Sequence, residues 1–573
     1  MKIALYGAGE HGRYSLIKLY GDGITPVALF DSDKEKHGTT IMGFEVRTPE
    51  SLRGNPEGLF VIVSVFKEEH YVEIKSHLED LGLTESKDFI HSNDFFGEEL
   101  ENSLSSWGRS SGFKVTLYDE NNADFTRIRG VAECRILISD TSKTIYRIFQ
   151  GYFNVFRDVF AKLKGSDLLD KYVVGTSEGL DRKFIGNPVE LKDAYILKHN
   201  FIEPIVFAFE FPPIMFLACT RFVIDLVQKL DKVGLGIVDI FPANIVFSEG
   251  RFLLLDFGGI TNKKTPSFVF QQFMHGYLNP LLLMSKQQYD KAFMYLKAMH
   301  PYLTFLDIKC YLDDLEIERY QTMSKFCENA LLSGDVVSAC YKLEQYVGSI
   351  EIKREELNWN DTQNRLWVNW YNKEEWAEKT KIIYSWVNSK NIQTLCDLAS
   401  NQGFYPVILA DSLKYAIAVD FDRKLVDDLY LRVRENNISN VYPVYMNVIA
   451  PTLPKHKNLT IDGQSVRPWI KGAKQRFKCD CVLGCAIMHH LIFRECLDFA
   501  DIISLLAEFT NRYLIIEYIQ KNDYALPLSE DFYWYTQENF ELELNNYSFQ
   551  IIAEQCSDPE RNRILYFCER VSK

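Results

Sequence analysis

Two short apolar runs in the C-terminal third each end in a carboxylate: Thr394-Leu-Cys-Asp397, continued by Leu398, and Ala416-Ile-Ala-Val-Asp420. Between them, Ala399-Ser-Asn401-Gln-Gly403 makes a turn of small and polar residues that opens a helix. In an open α/β sheet, ligands gather outside the carboxyl ends of the strands, and an acid closing the second strand can accept both hydroxyls of a ribose. The spacing predicts a nucleoside-bearing cofactor. Asp397, Ala399, Asn401 and Gly403 lie on the turn, and Asp420 and Asp422 lie on the sugar side.

Two further constellations could do chemistry. Near the start, the strand Ile3 to Tyr6 runs into Gly7-Ala-Gly9-Glu-His-Gly12, and the strand Val27 to Phe30 ends at Asp31. Gly7, Gly9 and Gly12 permit a tight turn and close approach of a pyrophosphate to a helix N-terminus, with Asp31 placed for a ribose. The same glycines also serve where a helix merely packs tightly on a sheet. In the middle of the chain stand Asp239-Ile-Phe-Pro-Ala-Asn244 and, after a predicted hairpin, Asp256-Phe-Gly258. In phosphoryl transfer, the first acid of such a set takes a hydroxyl proton, and the Asn and second acid hold Mg²⁺ on the nucleotide phosphates. By that reading Asp239 is catalytic, and Asn244 and Asp256 are metal ligands.

These groups need three bodies to position them, and 573 residues provide for three or four domains. Residues 1–98 alternate strand and helix, with a buried strand at Leu59 to Val65, as a doubly wound parallel sheet requires. A Ser-, Gly- and Asn-containing stretch from Glu98 to Gly112 reads as a linker. The middle segment, 113–305, opens with strands at Phe113 to Tyr118, Arg135 to Ile138 and Thr144 to Phe149, and turns helical from Met215 to Lys232. Residues 306–358 read as a helical connector. Residues 359–573 carry five strands with helices between, a second doubly wound sheet. The fold class is thus multidomain α/β with a central α+β segment. A net charge of -14 argues against a broad nucleic-acid footprint. No apolar run approaches the roughly 18 residues of a membrane span, and Met1-Lys-Ile-Ala-Leu-Tyr reads as a first strand. Twelve scattered cysteines fit reduced thiols in a cytoplasmic protein. Cys479, Cys481 and Cys485 lie near His489 and His490, but alternation along one strand suits a tetrahedral zinc site poorly.

The C-terminal pattern resembles motif I and the following acidic strand of class I S-adenosylmethionine (SAM) methyltransferases. With the middle segment, over residues 195–573, it resembles bacterial nodulation-type methyltransferases linked to surface and signalling glycans. In these an Asp-x4-Asn segment and a Gln-Phe…Pro-Leu run, here Gln272-Phe to Pro280-Leu, precede the methyltransferase sheet, and His489-His490-Leu follows its fourth strand. The resemblance implies SAM as cofactor. Asn447 stands where an acid is usual and can take the adenine amine through its carbonyl. Methyl transfer to oxygen needs a base near the acceptor proton, which His489 or His490 can supply. Glu517, at the end of the fifth strand, orients that base or faces the acceptor. The middle segment resembles protein kinases, implying ATP with Mg²⁺ if active. It lacks the His-Arg before Asp239, a glycine-rich phosphate loop and a Val-Ala-Ile-Lys strand; Lys143 and Arg147 are the nearest cations. The first hundred residues resemble the N-terminal domain of sugar acyltransferases, implying a nucleotide or nucleotide sugar.

Three functions are compatible with these residues. One is a SAM-dependent O-methyltransferase of a surface polysaccharide or glycolipid, at a sugar hydroxyl or a phosphate. The second is a kinase and methyltransferase acting on one glycan. The third is a non-catalytic scaffold of a polysaccharide-assembly complex. All three predict a cytoplasmic chain, peripheral to membrane glycan-assembly enzymes and without a nucleic-acid partner.

Overall fold

A computed structural model describes residues 2–8, 12, 15, 19, 26–38, 40–41, 44–65, 68–96, 125–128, 134–139, 144–150, 153–178, 194–298, 303–353, 366–368, 370–453, 459–461, 464–466, 471–521, 523, 526, 532–558 and 562–571. The expected linker, the strand at 113–118, Gly9 and Lys143 lie outside them.

The N-terminal sheet has six strands in the order Thr40–Ile41, Phe44–Arg47, Ala28–Phe30, Lys2–Tyr6, Leu59–Val63, Phe89–His91. All run parallel except Thr40–Ile41, which pairs antiparallel with its neighbour. Val61, Ile62 and Val63 are fully buried, as expected of a strand covered on both faces.

The middle segment begins with a five-stranded antiparallel sheet, ordered Thr176–Glu178, Ala194–Asn200, Thr144–Gln150, Cys134–Ser139, Phe125–Ile128. The helix Phe153–Gly165 follows its third strand. Below it lie the helix Pro213–Lys232 and the hairpin Ile245–Ser248 with Arg251–Leu254. Proline at the first helical turn costs no hydrogen bond there, and Met215, Phe216, Cys219, Val223, Leu226 and Leu230 make the helix's buried stripe. The helices Asp314–Leu332 and Val336–Gly348, expected as a connector, fold onto this body. The second packs on Pro213–Lys232. Tyr320 on the first donates to Asn279 Oδ1 at 2.9 Å in a buried setting.

The C-terminal sheet has seven strands in the order Val441–Tyr445, Tyr415–Asp420, Thr394–Leu398, Cys479–Gly484, Thr510–Ile519, Arg563–Arg570, Phe549–Asp558. The first five are parallel, and Arg563–Arg570 runs against both of its neighbours. The order reverses at Thr394–Leu398, so the crevice beyond Asp397 is the place where a ligand of such a sheet binds. Sequence periodicity found the five parallel strands. It missed the closing pair, whose half-exposed faces carry polar residues such as Glu554 and Gln555.

The middle and C-terminal bodies meet along a polar and aromatic seam. Arg476 forks onto Glu210, with Nη1 to Oε2 at 2.9 Å, and donates to Ile205 O at 2.6 Å; the two side chains are 5% and 0% exposed. Asp427 Oδ1 accepts the N–H of Ile214 at 2.8 Å, capping the helix Pro213–Lys232 from across the seam. At the hairpin turn, Glu249 N donates to Tyr442 Oη at 3.0 Å.

Candidate cofactor site

The loop after Thr394–Leu398 is built from left-handed residues. Ala399, Asn401 and Gly403 have φ of 63°, 54° and 70°. Only at Gly403 is glycine required by space, since a Cβ there would stand 2.6 Å from the Leu429 methyls. Asp420 ties this loop to the second strand. Its Oδ2 accepts Asn401 N–H at 2.8 Å and its Oδ1 accepts Asp422 N–H at 2.9 Å. Asp422 in turn caps the helix Arg423–Glu435 by accepting Lys424 N–H. The structure thus brings Asp397, Ala399, Asn401, Gly403, Asp420 and Asp422 together at the carboxyl ends of the first two strands of this sheet. Asn447, after the third strand, is exposed, and its Oδ1 accepts Ile449 N–H at 3.1 Å. Met446 N donates to Asp420 O, so the third strand's end is fastened to the second.

Electrostatics single out Asp397. Its carboxylate is 2% exposed and Oδ2 has no hydrogen-bond partner. Burial, then the neighbouring Asp420, push its pKa up to about 8, with Lys379 opposing. Burial raises Asp420 to about 6 against its backbone hydrogen bonds. Two buried acids, one with an orphaned oxygen, call for a cationic or hydroxyl-bearing ligand.

Lys379, on the helix Glu378–Ser389, escaped the sequence reading. Its ammonium donates to Glu517 Oε2 at 2.9 Å. Burial works against its charge, but Cys485, Tyr405 and Glu517 around it hold its pKa above the ordinary value. A lone lysine on an amphipathic helix looks like a solvated residue, and no local signal marks this one.

Glu517 lies on the fifth strand. It is fully buried and accepts from Lys379, from Ala486 N–H at 3.0 Å and from Ser557 Oγ at 2.8 Å. Burial alone would raise its pKa, yet Lys379, Ser557 and Arg563 hold it below the usual range. It holds Ala486, a left-handed residue at φ 53°, two residues before the helix Met488–Glu495 that carries His489 and His490. Those two rings lie 4.0 Å apart. His490 is exposed, whereas His489 is half-buried with an unpartnered Nδ1. Burial, then His490 and Arg563, lower His489 to about 4, so its imidazole is neutral at neutral pH. Of the cysteines preceding these histidines in sequence, Cys479 and Cys481 lie fully buried, and burial pushes both thiols up. Among the described residues, no three His, Cys, Asp or Glu are grouped to hold a metal ion.

The N-terminal glycine turn repeats the same carboxylate geometry. Asp31 Oδ2 accepts Ala8 N–H at 2.6 Å and Oδ1 accepts Asp33 N–H at 2.8 Å, matching Asp420 atom for atom. Here Lys36 also sits on Oδ2 at 3.1 Å. Gly7 has φ 114°, and a Cβ on Gly12 would stand 1.7 Å from Gly7 O, so close packing by itself demands both glycines.

In the middle segment, Asp239 Oδ1 accepts Phe241 N–H at 3.0 Å. Gln272 and Tyr277 fasten the backbone of Ile240 at 3.1 and 2.7 Å. Asn244 is buried, and its backbone carbonyl accepts Leu255 N–H, beside Asp256. Asp256 Oδ1 accepts Gly258 N–H at 3.0 Å and is ion-paired with Arg147.

No family model matches the chain. The nodulation protein NoeA of Rhizobium meliloti (strain 1021) is 26% identical over 208 residues, which are 35% of this chain. The chain thus spans 41% of that relative's length. Among solved structures, magnesium protoporphyrin IX methyltransferase from Synechocystis PCC 6803 with bound SAM is 14% identical, covering 37% of this chain and 93% of its own, with a TM-score of 0.26. The N-methyltransferase NodS from Bradyrhizobium japonicum WM9 is 8% identical, covering 34% and 94%, with a TM-score of 0.24.

Proposed function

We propose that the C-terminal sheet binds SAM and that the chain is a methyltransferase acting on an oxygen of a bacterial surface polysaccharide or glycolipid. The observation that carries the cofactor is the crevice at the reversal of strand order, where Asp420 fixes the Asn401 loop and Asp397 offers an unpartnered, buried oxygen. Bound SAM would supply a methyl group on a cationic sulfonium. Asp420 would take the ribose hydroxyls, and Asp397 would face the positive end of the cofactor. His489, neutral and half-buried at the crevice mouth, would accept the acceptor's proton as its oxygen attacks in line. Glu517 and Lys379 act as positioning residues, fixing the loop that leads to His489.

The acceptor class is inferred from the nodulation-type resemblance of the sequence, and similarity to a nodulation protein accords with it. The middle segment would be a kinase-like body; its five-stranded antiparallel sheet with a helix after the third strand supports that reading, as do Asp239, Asn244 and Asp256 on neighbouring turns. The pairing of Asp256 with Arg147, and the lack of a glycine-rich loop in the sequence, favour a scaffold without phosphotransfer. The N-terminal sheet would take a nucleotide or nucleotide sugar at Gly7, Gly12 and Asp31. Among the described residues no helix is long and apolar enough to cross a membrane. A cytoplasmic chain, peripheral to glycan-assembly enzymes, fits this reading.

The test is transfer of tritium from methyl-labelled SAM to a glycan fraction by the full chain, with Asp420→Ala as control. Tight SAM binding with labelled glycan recovered supports the proposal. Failure to bind SAM sinks the cofactor assignment, whereas binding without transfer to glycans, lipids or proteins leaves a scaffold.

A further inference from the structure

The middle segment carries the residue set of a magnesium–nucleotide site, but its charges are arranged differently. We infer that Asp256 is not a metal ligand in this chain: Arg147 is its built-in counter-cation and keeps divalent ions out of the cleft.

The register of the five-stranded sheet sets Arg147 opposite Leu197, with Phe149 opposite Tyr195 and Ile145 opposite His199, so these residues share one face. That face looks onto the turn after Leu254. There Arg147 Nη1 donates to Asp256 Oδ1 and Nη2 donates to Leu255 O at 2.9 Å. The fork grips side chain and backbone of the same turn, which a lysine's single ammonium does not do. Asp256 Oδ1 is held from a third direction by Gly258 N–H. Arg147 is 10% exposed and Asp256 25%, so water screens the pair weakly.

The ring beside this turn adds no competing cation. His199 is 3% exposed and stands 5.8 Å from the Phe257 ring. Thr176 Oγ1 donates to Val174 O, so His199 Nδ1 must be the donor to Thr176 at 2.9 Å, leaving Nε2 a bare acceptor. Burial, then the charge of Arg147, keep this imidazole neutral.

A magnesium ion needs near-octahedral oxygens at about 2.1 Å. On the Asp256 carboxylate it would lie within roughly 5 Å of a guanidinium that cannot lose its proton. Of the other two candidates, Asp239 has Oδ1 committed to Phe241 N–H, and Asn244 is 6% exposed. The donor set does not fit the ion while Arg147 is in place.

The test uses Mn²⁺ as the probe, followed by its electron paramagnetic resonance signal, on the full chain. The wild type is expected to leave Mn²⁺ free up to about 1 mM, the weak end of specific binding. Arg147→Met should gain one Mn²⁺ site per chain with at least tenfold tighter binding, and the Arg147→Met, Asp256→Asn double variant should lose it. Wild-type Mn²⁺ binding that Asp256→Asn abolishes would overturn the inference. So would a folded Arg147→Met protein, checked by its melting curve, that gains no site. Should Arg147→Met not fold, wild type against Asp256→Asn decides alone: any Asp256-dependent Mn²⁺ binding refutes the inference, and its absence in both upholds it. The outcome is independent of the cofactor assignment, because SAM binding is scored separately on the same samples.

Discussion

Binding of SAM should expel a proton from Asp397. In the free protein burial and Asp420 hold this acid near pKa 8, so at pH 7 about nine chains in ten carry it protonated. A sulfonium or ammonium placed against the unpartnered Oδ2 stabilises the ionised form, so the bound state sheds that proton. The linkage then fixes the slope: affinity should tighten roughly tenfold from pH 6 to 7, about fivefold from pH 7 to 8, and level off above pH 9. Calorimetry at pH 7 in phosphate and in Tris reads the proton directly, because the two buffers take it up with different heats. The apparent enthalpies should differ by about 0.9 of the difference in buffer ionisation enthalpy. Asp397→Asn is the reference, since it retains any titration of SAM's own amine and removes that of the acid. Equal heats in the two buffers, or an unchanged pH slope in Asp397→Asn, would refute the reasoning.

The same raised acids make the ligand-free fold pH-sensitive. Between about pH 4 and 8 the folded chain binds more protons than the unfolded one, so stability should fall as pH rises through that window; Asp397→Asn should raise the melting temperature at pH 8 and leave it unchanged at pH 4. Asp420→Ala should weaken SAM binding by about 1.5–3 kcal/mol, and leaving the Asn401 and Asp422 N–H groups without their acceptor should cost about 1–3 kcal/mol of stability; unchanged SAM affinity by calorimetry in a folded variant would contradict the ribose role. His489→Ala should lower kcat about 10²–10⁴-fold at saturating SAM with little change in KM for the cofactor, and because the imidazole is held near pKa 4, wild-type kcat should show no break near pH 6.5. Glu517→Gln, which weakens the hold on Lys379, should destabilise the fold by about 2–4 kcal/mol in a denaturant titration; an unchanged midpoint would mean the pair contributes nothing.

The loop and strand-end residues of the candidate site were legible together because they lie close in sequence. Asp397, Gly403 and Asp420 fall within 24 positions, and buried runs ending in acids mark them. The buried network around Glu517 was not readable. Lys379 comes from a helix before the first strand, Glu517 from the fifth strand and Ser557 from the sixth, and only the assembled sheet brings them together. Glu517 looked like a site acid because it ends a strand as Asp420 does. The difference lies in Lys379, Ser557 and Ala486 N–H, which consume it. Arg147 was noticed only as the nearest cation. Its pairing with Asp256, 109 positions away, depends on strand register that local patterns do not fix. The helices after residue 306 read as a spacer because their apolar stripes are modest, yet Asn279 and Tyr320 stitch them to the body before them.

The Arg476–Glu210 pair at the seam has a bearing on how such a chain can diverge. Both groups are almost wholly removed from water, so replacing either one first strands a buried charge, at about 3–5 kcal/mol, a large part of a domain's net stability. Replacing both together by apolar residues is close to neutral. Single-step drift is therefore blocked at this pair while the paired change is open, and sequences should carry either both charges or neither. A middle segment bearing Glu210 cannot be recombined with a C-terminal sheet that lacks its arginine without passing through that barrier. The two bodies are bound to be inherited as one unit, through a contact that touches neither cleft.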